Sequence, residues 1–243
     1  MQVIRTVGVV ALGLLLGACG GRSDVESGPP GDSQRRDFRF AGDAEGWTAH
    51  FVDYPAGDES IYAFDSGYRP VPDGAAAGSA PFIAGTNRSD DLFMYYRRRI
   101  DGLDPGQRYG LQYTVTIASE AQRGCVGIGG APGESVYLKA GASAEEPRRV
   151  IDASDGWWRL SVDKGNQSQG GAAAIVLGTI ENTQECGARQ RFEAKTFSGD
   201  IAADADAQGR MWLFVGTDSG FEGRSRLYYP RITIDLTPAG AEQ

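Results

Sequence analysis

The stretch YGLQYTVTI at residues 109–117 puts Tyr109, Leu111, Tyr113, Val115 and Ile117 at every odd position, with glycine or a hydrogen-bonding side chain at each even one. Successive side chains of an extended chain point to opposite faces, so this order makes one face apolar and leaves the other to water. It describes a strand buried on one side. Similar shorter runs lie at residues 47–52, 61–64, 92–100, 136–140, 157–162, 172–180, 191–197, 211–215 and 227–236. Gly, Pro, Asn and Asp punctuate them at short intervals, and the 35 glycines in 243 residues suit frequent tight turns. Past the amino terminus, no stretch keeps an apolar 3.6-residue period for three turns. The expectation is an all-β fold, a jelly-roll-like two-sheet antiparallel sandwich. Pro230, inside the last run, requires an edge position or a bulge there. No repeat or composition break divides residues 37–239, which are read as one sandwich domain.

The amino terminus is organised differently. Arg5 precedes an apolar stretch over residues 7–16 that ends in Leu16-Gly17-Ala18-Cys19. A run of about ten apolar residues is too short to span a hydrocarbon core roughly 30 Å thick, and it suits the apolar region of a signal peptide. The segment resembles the lipobox of bacterial lipoproteins. That resemblance implies a lipoprotein signal peptide over residues 1–18, acylation of Cys19, and a membrane partner reached through the lipid. The alternative is an ordinary secretory signal followed by an incidental cysteine. Residues 19–36, rich in Gly, Ser, Pro and charge, are expected to be a flexible tether. The expected location is the cell envelope, lipid-anchored, at the outer membrane or periplasmic face if the cell is Gram-negative. With Cys19 given to lipid, Cys125 and Cys186 remain to pair in an oxidising compartment. The 32 acidic side chains outnumber the 24 basic ones, which argues against nucleic acid as a partner.

Two further segments resemble known modules. Residues 100–109 are similar to the GL-x-PG-x-x-Y turn of extracellular β-sandwich modules, including fibronectin-type and jelly-roll carbohydrate-binding modules. Pro105 presets φ, Gly106 permits the turn, and Leu103 and Tyr109 cap the core on either side. Residues 223–234 resemble the last strand of jelly-roll modules, with Pro230 where many of those carry Asp. Nearly the whole mature domain also resembles an uncharacterised group of bacterial exported lipoproteins. The match runs through Gly46-Trp47, Asp53-Tyr54-Pro55 and residues 87–94, 127–137 and 216–222. These resemblances imply a fold and a compartment, and no activity.

Catalytic chemistry finds little to work with. His50, the single histidine, falls on the polar side of its run and reads as a solvated strand residue. Ser135 lacks the second glycine of a nucleophile elbow, and one histidine is poor provision for zinc. The glycines at 127, 129, 130 and 133 are followed by a strand pattern instead of the helix that a phosphate cradle needs. Residues 204–209 match only the first half of a calcium loop and read as a hairpin turn. By analogy with jelly-roll modules, Asp37 and Asp235 could hold calcium between the first and last strands.

Polar groups gather in residues 87–91, 163–171 and 217–222, each beside a predicted strand and each offering little to a core. Loops collect at the ends of a sandwich, so these segments could converge and bring Asp90, Asp91, Asp163, Asn166, Asp218 and Glu222 into one ligand-binding cluster for calcium, sugar hydroxyls or both. They could equally cap one another's backbone. The adjacent pairs Tyr95–Tyr96, Trp157–Trp158 and Tyr228–Tyr229 would each turn one ring outward from a one-sided sheet. The balance favours a lipid-anchored, non-catalytic binding module for a carbohydrate-like or calcium-dependent ligand. An envelope scaffold acting through protein contacts and a glycoside-active enzyme using paired carboxylates are the alternatives.

Overall fold

The computed structural model describes residues 32–57 and 59–240 together with the backbone of Val25–Glu26. The expected signal peptide, Cys19 and most of the expected tether lie outside the described residues. In chain order the strands are β1 (Val25–Glu26), β2 (Gln34–Phe38), β3 (Thr48–Val52), β4 (Tyr54–Pro55), β5 (Asp65–Pro70), β6 (Ser79–Thr86), β7 (Leu92–Ile100), β8 (Arg108–Ser119), β9 (Val136–Ser143), β10 (Arg149–Ile151), β11 (Trp157–Leu160), β12 (Ala174–Thr179), β13 (Glu193–Asp204), β14 (Met211–Ser219) and β15 (Arg224–Pro238). The fold is an all-β, jelly-roll-like antiparallel sandwich. Its first long strand starts at Gln34, ahead of the expected domain start at Asp37.

The alternation over residues 109–117 becomes β8, which buries its odd positions and leaves Gly110 and Gln112 exposed. A seven-stranded sheet is built around β15, with β8 along one side and β2 and β6 sharing the other. The register of β15 against β8 shifts between Tyr228 and Arg231, so Pro230 sits in the irregularity that a residue without an N–H requires. The second sheet has the order β12-β9-β14-β7-β3. Tyr113, Val115, Ile232 and Ile234 from the first sheet meet Met94, Leu138, Leu213 and Val215 from the second in one core. The layers are also tied by hydrogen bonds: Tyr113 donates to the Gly141 carbonyl at 2.6 Å and Tyr96 to the Phe82 carbonyl at 2.7 Å. Residue 141 has to be glycine, because a Cβ there would collide with the Phe214 ring and the Ala173 carbonyl.

A small third sheet, β10-β11-β4, was not expected. Leu160, Val162 and Ala173, on and beyond β11, pack over Val52, Phe93, Tyr95 and Phe214 on the outer face of the second sheet. That face is therefore dry. Tyr95, Tyr96, Tyr228 and Tyr229 are all buried, which corrects the expectation of one outward ring per pair; Tyr95 donates to the Pro147 carbonyl at 3.1 Å, and Tyr228 packs edge-on to Phe192. Residues 61–64 are not a strand. Glu59–Tyr62 is a 3-10 turn, and Tyr62 and Phe64 instead join Phe51 and Tyr54 in an aromatic cluster.

The turn before β8 has the expected form: Leu103 and Tyr109 are buried, Gly106 has φ 69° and the Asp104 N–H donates to Tyr109 Oη at 3.0 Å. Residues 205–210 are not a hairpin, since they carry the chain from β13 in the first sheet to β14 in the second. Asp206 shapes that crossing by accepting the N–H groups of Gln208 and Arg210 at 2.8 and 2.9 Å.

Register fixes two poles. Gln34 lies level with Leu236 and Leu111, near the 101–108 turn, whereas the segments after β8, β12 and β14 leave at the opposite end. There Cys125 and Cys186 form a disulfide with Cα atoms 5.0 Å apart, across a sequence separation of 61. Closing a loop of that length stabilises the domain by roughly 4 kcal/mol through chain entropy. Replacing both cysteines by serine should lower the unfolding free energy in urea by about that amount, whereas superimposable denaturation curves would show that the link constrains nothing.

Candidate functional site

The site begins with two charged residues in the middle of a sheet. On β9, Val136, Leu138 and Ala140 face the core, so Lys139 projects from the other side; on the adjacent β14, Asp218 does the same. Sequence alternation assigns such positions to water. Here residues 163–171 fold over them, and both side chains are fully buried. Asp163 and glycine shape this cover. Asp163 Oδ1 accepts the Gly165 N–H and Oδ2 the Ala172 N–H, each at 2.9 Å, and these bonds hold its carboxyl below the usual carboxylate range. Gly165 has φ 72° and lies so close to Gly170 that a side chain would strike the backbone.

Beneath the loop the charges pair closely. Lys139 Nζ donates to the Lys164 and Gln169 carbonyls, both at 2.9 Å, and lies 2.8 Å from Asp218 Oδ2. Lys164 Nζ donates to the same Asp218 oxygen at 2.7 Å and sits over the Phe93 ring. It is also in ion-pair contact with Asp53 Oδ2 at 2.9 Å. The Gln167 N–H adds a third bond to Asp218 Oδ2 at 2.9 Å. Asp53 occupies the tight turn between β3 and β4 with φ 68°, a conformation that Asp tolerates better than most residues. Arg159 of β11 reaches Asp53 Oδ1 at 3.3 Å, Asp91 Oδ2 at 3.6 Å and Asp155 at 2.9 Å, and its guanidinium covers the Trp157 ring at 4.6 Å.

Burial and neighbours move the titrations apart. Burial pushes Asp91 up to about 8, helped by the charges on Asp53 and Asp218. For Asp218, burial is outweighed by Lys164 and Lys139, which bring it below the ordinary value. Asp91 and Asp218 are within hydrogen-bond reach of each other, so the pair keeps one proton and Asp91 carries it. Burial also raises Asp53, against the pull of Lys164.

Over this cluster opens a cleft of about 350 Å³, lined by Asp53, Asp91, Arg159, Asp163, Lys164 and Asn166 with the apolar Leu160 and Val162. The three polar segments do meet: Asn87 Nδ2 donates to the Ser219 carbonyl at 2.7 Å, and Gln167 Nε2 to the Asp90 carbonyl at 2.9 Å. Of the residues read as ligand-binding, Asp91, Asp163 and Asn166 line the cleft, while Asp218 lies sealed below it. Asp90 and Glu222 stand to one side, in the loops that hold the cleft together; the Glu222 N–H donates to the Ile128 carbonyl at 2.8 Å. Asp53, Lys139, Lys164 and Arg159 were not anticipated. The one local signal was Asp53 in its Asp-Tyr-Pro turn, whereas the burial of Lys139 depends on a segment well beyond its own strand.

Oxygens of Asp53, Asp91 and Asp218 lie within 4.8 Å of one another, a spacing that could accept a divalent cation. Lys164 already bridges Asp53 and Asp218, so a cation would have to displace a fixed ammonium. The Asp37–Asp235 reading is corrected: Arg231 holds Asp37 through both oxygens at 2.8 Å and, with Arg39 and Thr233, well below the usual carboxylate range, while Asp235 faces Arg35. His50 is half-buried beside Tyr95, not solvated; burial and then Arg97 lower it to about 4, leaving a neutral ring at pH 7.

No family model and no curated protein sequence matches the chain. Among solved structures, the enzymatically active domain of tailspike protein 4 from bacteriophage CBA120 is 10% identical with a TM-score of 0.33, covering 77% of this chain and 19% of that one. TmCBM61 in complex with β-1,4-galactotriose is 9% identical with a TM-score of 0.36, covering 79% of this chain and 90% of that one. TmCBM27, a carbohydrate-binding module with specific mannan recognition, is 13% identical with a TM-score of 0.38, covering 83% and 94%. Likeness of that degree transfers no ligand to this chain.

Asp218→Asn would leave two buried ammonium groups short of counter-charge and should cost about 3–5 kcal/mol in urea unfolding; a loss below about 1 kcal/mol would mean that the ion pairs are solvated. Asp91 should also give stability a pH dependence. Its folded value is raised, so the folded state binds the extra proton between the ordinary value of 3.8 and about 8. Its stabilising contribution is complete below that window and is lost as pH rises through it. Asp91→Asn should flatten the decline in unfolding free energy between about pH 5 and 8, and parallel profiles for the two proteins would refute the raised titration.

Proposed function

We propose that this is a lipid-anchored protein of the cell envelope whose sandwich binds a glycan without cleaving it. One observation carries the reading: a cleft of about 350 Å³ brings together a carboxyl, a guanidinium and an amide, from Asp91, Arg159 and Asn166. Sugar hydroxyls both donate and accept, so they match such a mixed set. Cleavage by paired carboxylates is poorly supported. It would need two free carboxyls presented to the sugar; Asp53, at 4% exposure, is closed off by Lys164 and Arg159, and both oxygens of Asp163 are taken up by the Gly165 and Ala172 N–H groups. Those ion pairs also favour binding that does not require calcium.

The lipid at Cys19 rests on the lipobox resemblance. The scaffold reading retains one supporting observation, the exposed Val126 and Ile128 beside the disulfide. Glycan-array binding by the purified chain should survive a calcium chelator and weaken about tenfold in Arg159→Ala, as loss of a hydrogen bond from a charged donor implies. Absence of any bound glycan would end this reading, and loss of binding with the chelator would restore calcium to it.

A further inference from the structure

We infer that Lys164 and Asp218 become joined, in the folded chain, by an amide bond between Nζ and Cγ. Every group that such a condensation needs stands around them. Lys164 Nζ is already 2.7 Å from Asp218 Oδ2, and neither side chain is more than 6% exposed. Of the Asp218 oxygens, Oδ2 is held by Lys139 Nζ at 2.8 Å and by the Gln167 N–H at 2.9 Å. Those two donors would stabilise the negative charge that develops on this oxygen as Cγ becomes tetrahedral. Oδ1 accepts no hydrogen bond from an N–H and is free to depart, and the Asp91 carboxyl, within hydrogen-bond reach of Asp218, is the group suited to protonate it. On the other side, Lys164 contacts Asp53 Oδ2, a carboxylate that can take its proton.

Lys139 is placed differently. Apart from Asp218 its Nζ donates to two carbonyl oxygens, which cannot accept a proton, so it serves as a donor. Fixed proximity replaces a collision between the two groups.

The condensation balances without an added reactant. Lys164 passes one proton to Asp53 and its nitrogen pair attacks Cγ, while Asp91 protonates Oδ1. The adduct nitrogen then gives its second proton to Asp91. The Cγ–Oδ1 bond breaks as Oδ1 takes the proton held by Asp53, and one water leaves. Asp53 ends ionised and Asp91 protonated, as they began. The amide keeps one N–H, and its carbonyl oxygen remains bonded to Lys139 and Gln167. The link would fasten the loop over residues 163–171 to the central strand β14, and it holds whether or not the cleft takes a glycan.

Tryptic digestion of the reduced, purified chain followed by mass spectrometry tests this directly. A linked Lys164 blocks cleavage, so residues 160–189 should appear joined to residues 211–224 at the summed mass less one water. Asp91→Asn, with folding checked by circular dichroism, should yield far less of the joined species. Finding residues 165–189 and 211–224 only as separate linear peptides from folded wild-type protein would overturn the inference. A joined species through Lys139 instead would overturn the choice of nucleophile, and full linkage in Asp91→Asn would remove the acid's role.

Discussion

A lysine and an aspartate with no access to water occupy the centre of a sheet, and much of this molecule is arranged so that they can be there. An isolated ion in such a place is unaffordable, since its desolvation exceeds any single hydrogen bond. Lys139 and Asp218 are accommodated because neighbouring strands set them side by side and because residues 163–171 bring carbonyls, an N–H and a second lysine to the same point. The loop in turn depends on Asp163 and Gly165 for its shape. Glycine usage, loop polarity and strand register thus serve one requirement, which is to keep every buried charge in contact with an opposite one.

Legibility in the sequence follows from how local each determinant is. The alternation of β8 is local and its burial follows residue by residue; the turn from Leu103 to Tyr109 is equally self-contained. The third sheet is not local. Its best signal was β7, where Leu92, Phe93, Met94, Tyr95 and Tyr96 are consecutive and large, a pattern that belongs to a strand covered on both faces. Taken as a strand with one wet face, it led to the expectation that aromatic rings would be exposed. Convergence of the three polar segments was foreseeable from loop position, but the cations that neutralise them came from β9 and β11, where Lys139 and Arg159 carry no mark that separates them from ordinary surface residues.

The same cluster explains why acidic side chains here do not act as a group. Asp163 caps its own loop, Asp218 binds two ammonium groups, Asp53 is shared between Lys164 and Arg159, and Asp91 keeps its proton. Each carboxyl has its own counterpart, so the charge facing the cleft is far smaller than the number of aspartates suggests. What remains at the opening is a set of mixed hydrogen-bond donors and acceptors.

A fixed ammonium and a bound metal solve the same electrostatic problem with different consequences. A metal ion would leave the carboxylates dependent on its concentration and on the acidity of the medium. Lys164 belongs to the loop it secures, so the neutralising charge arrives whenever the loop folds and cannot be lost to dilution. Its position also ties the site to the loop: residues 163–171 cover Asp218 on β14 and bring Lys164 to Asp218 and Asp53 at the floor of the cleft. The chemistry of this end of the sandwich is therefore a property of the folded loop, which is why the residues that govern it are spread across β9, β11, β14 and two turns.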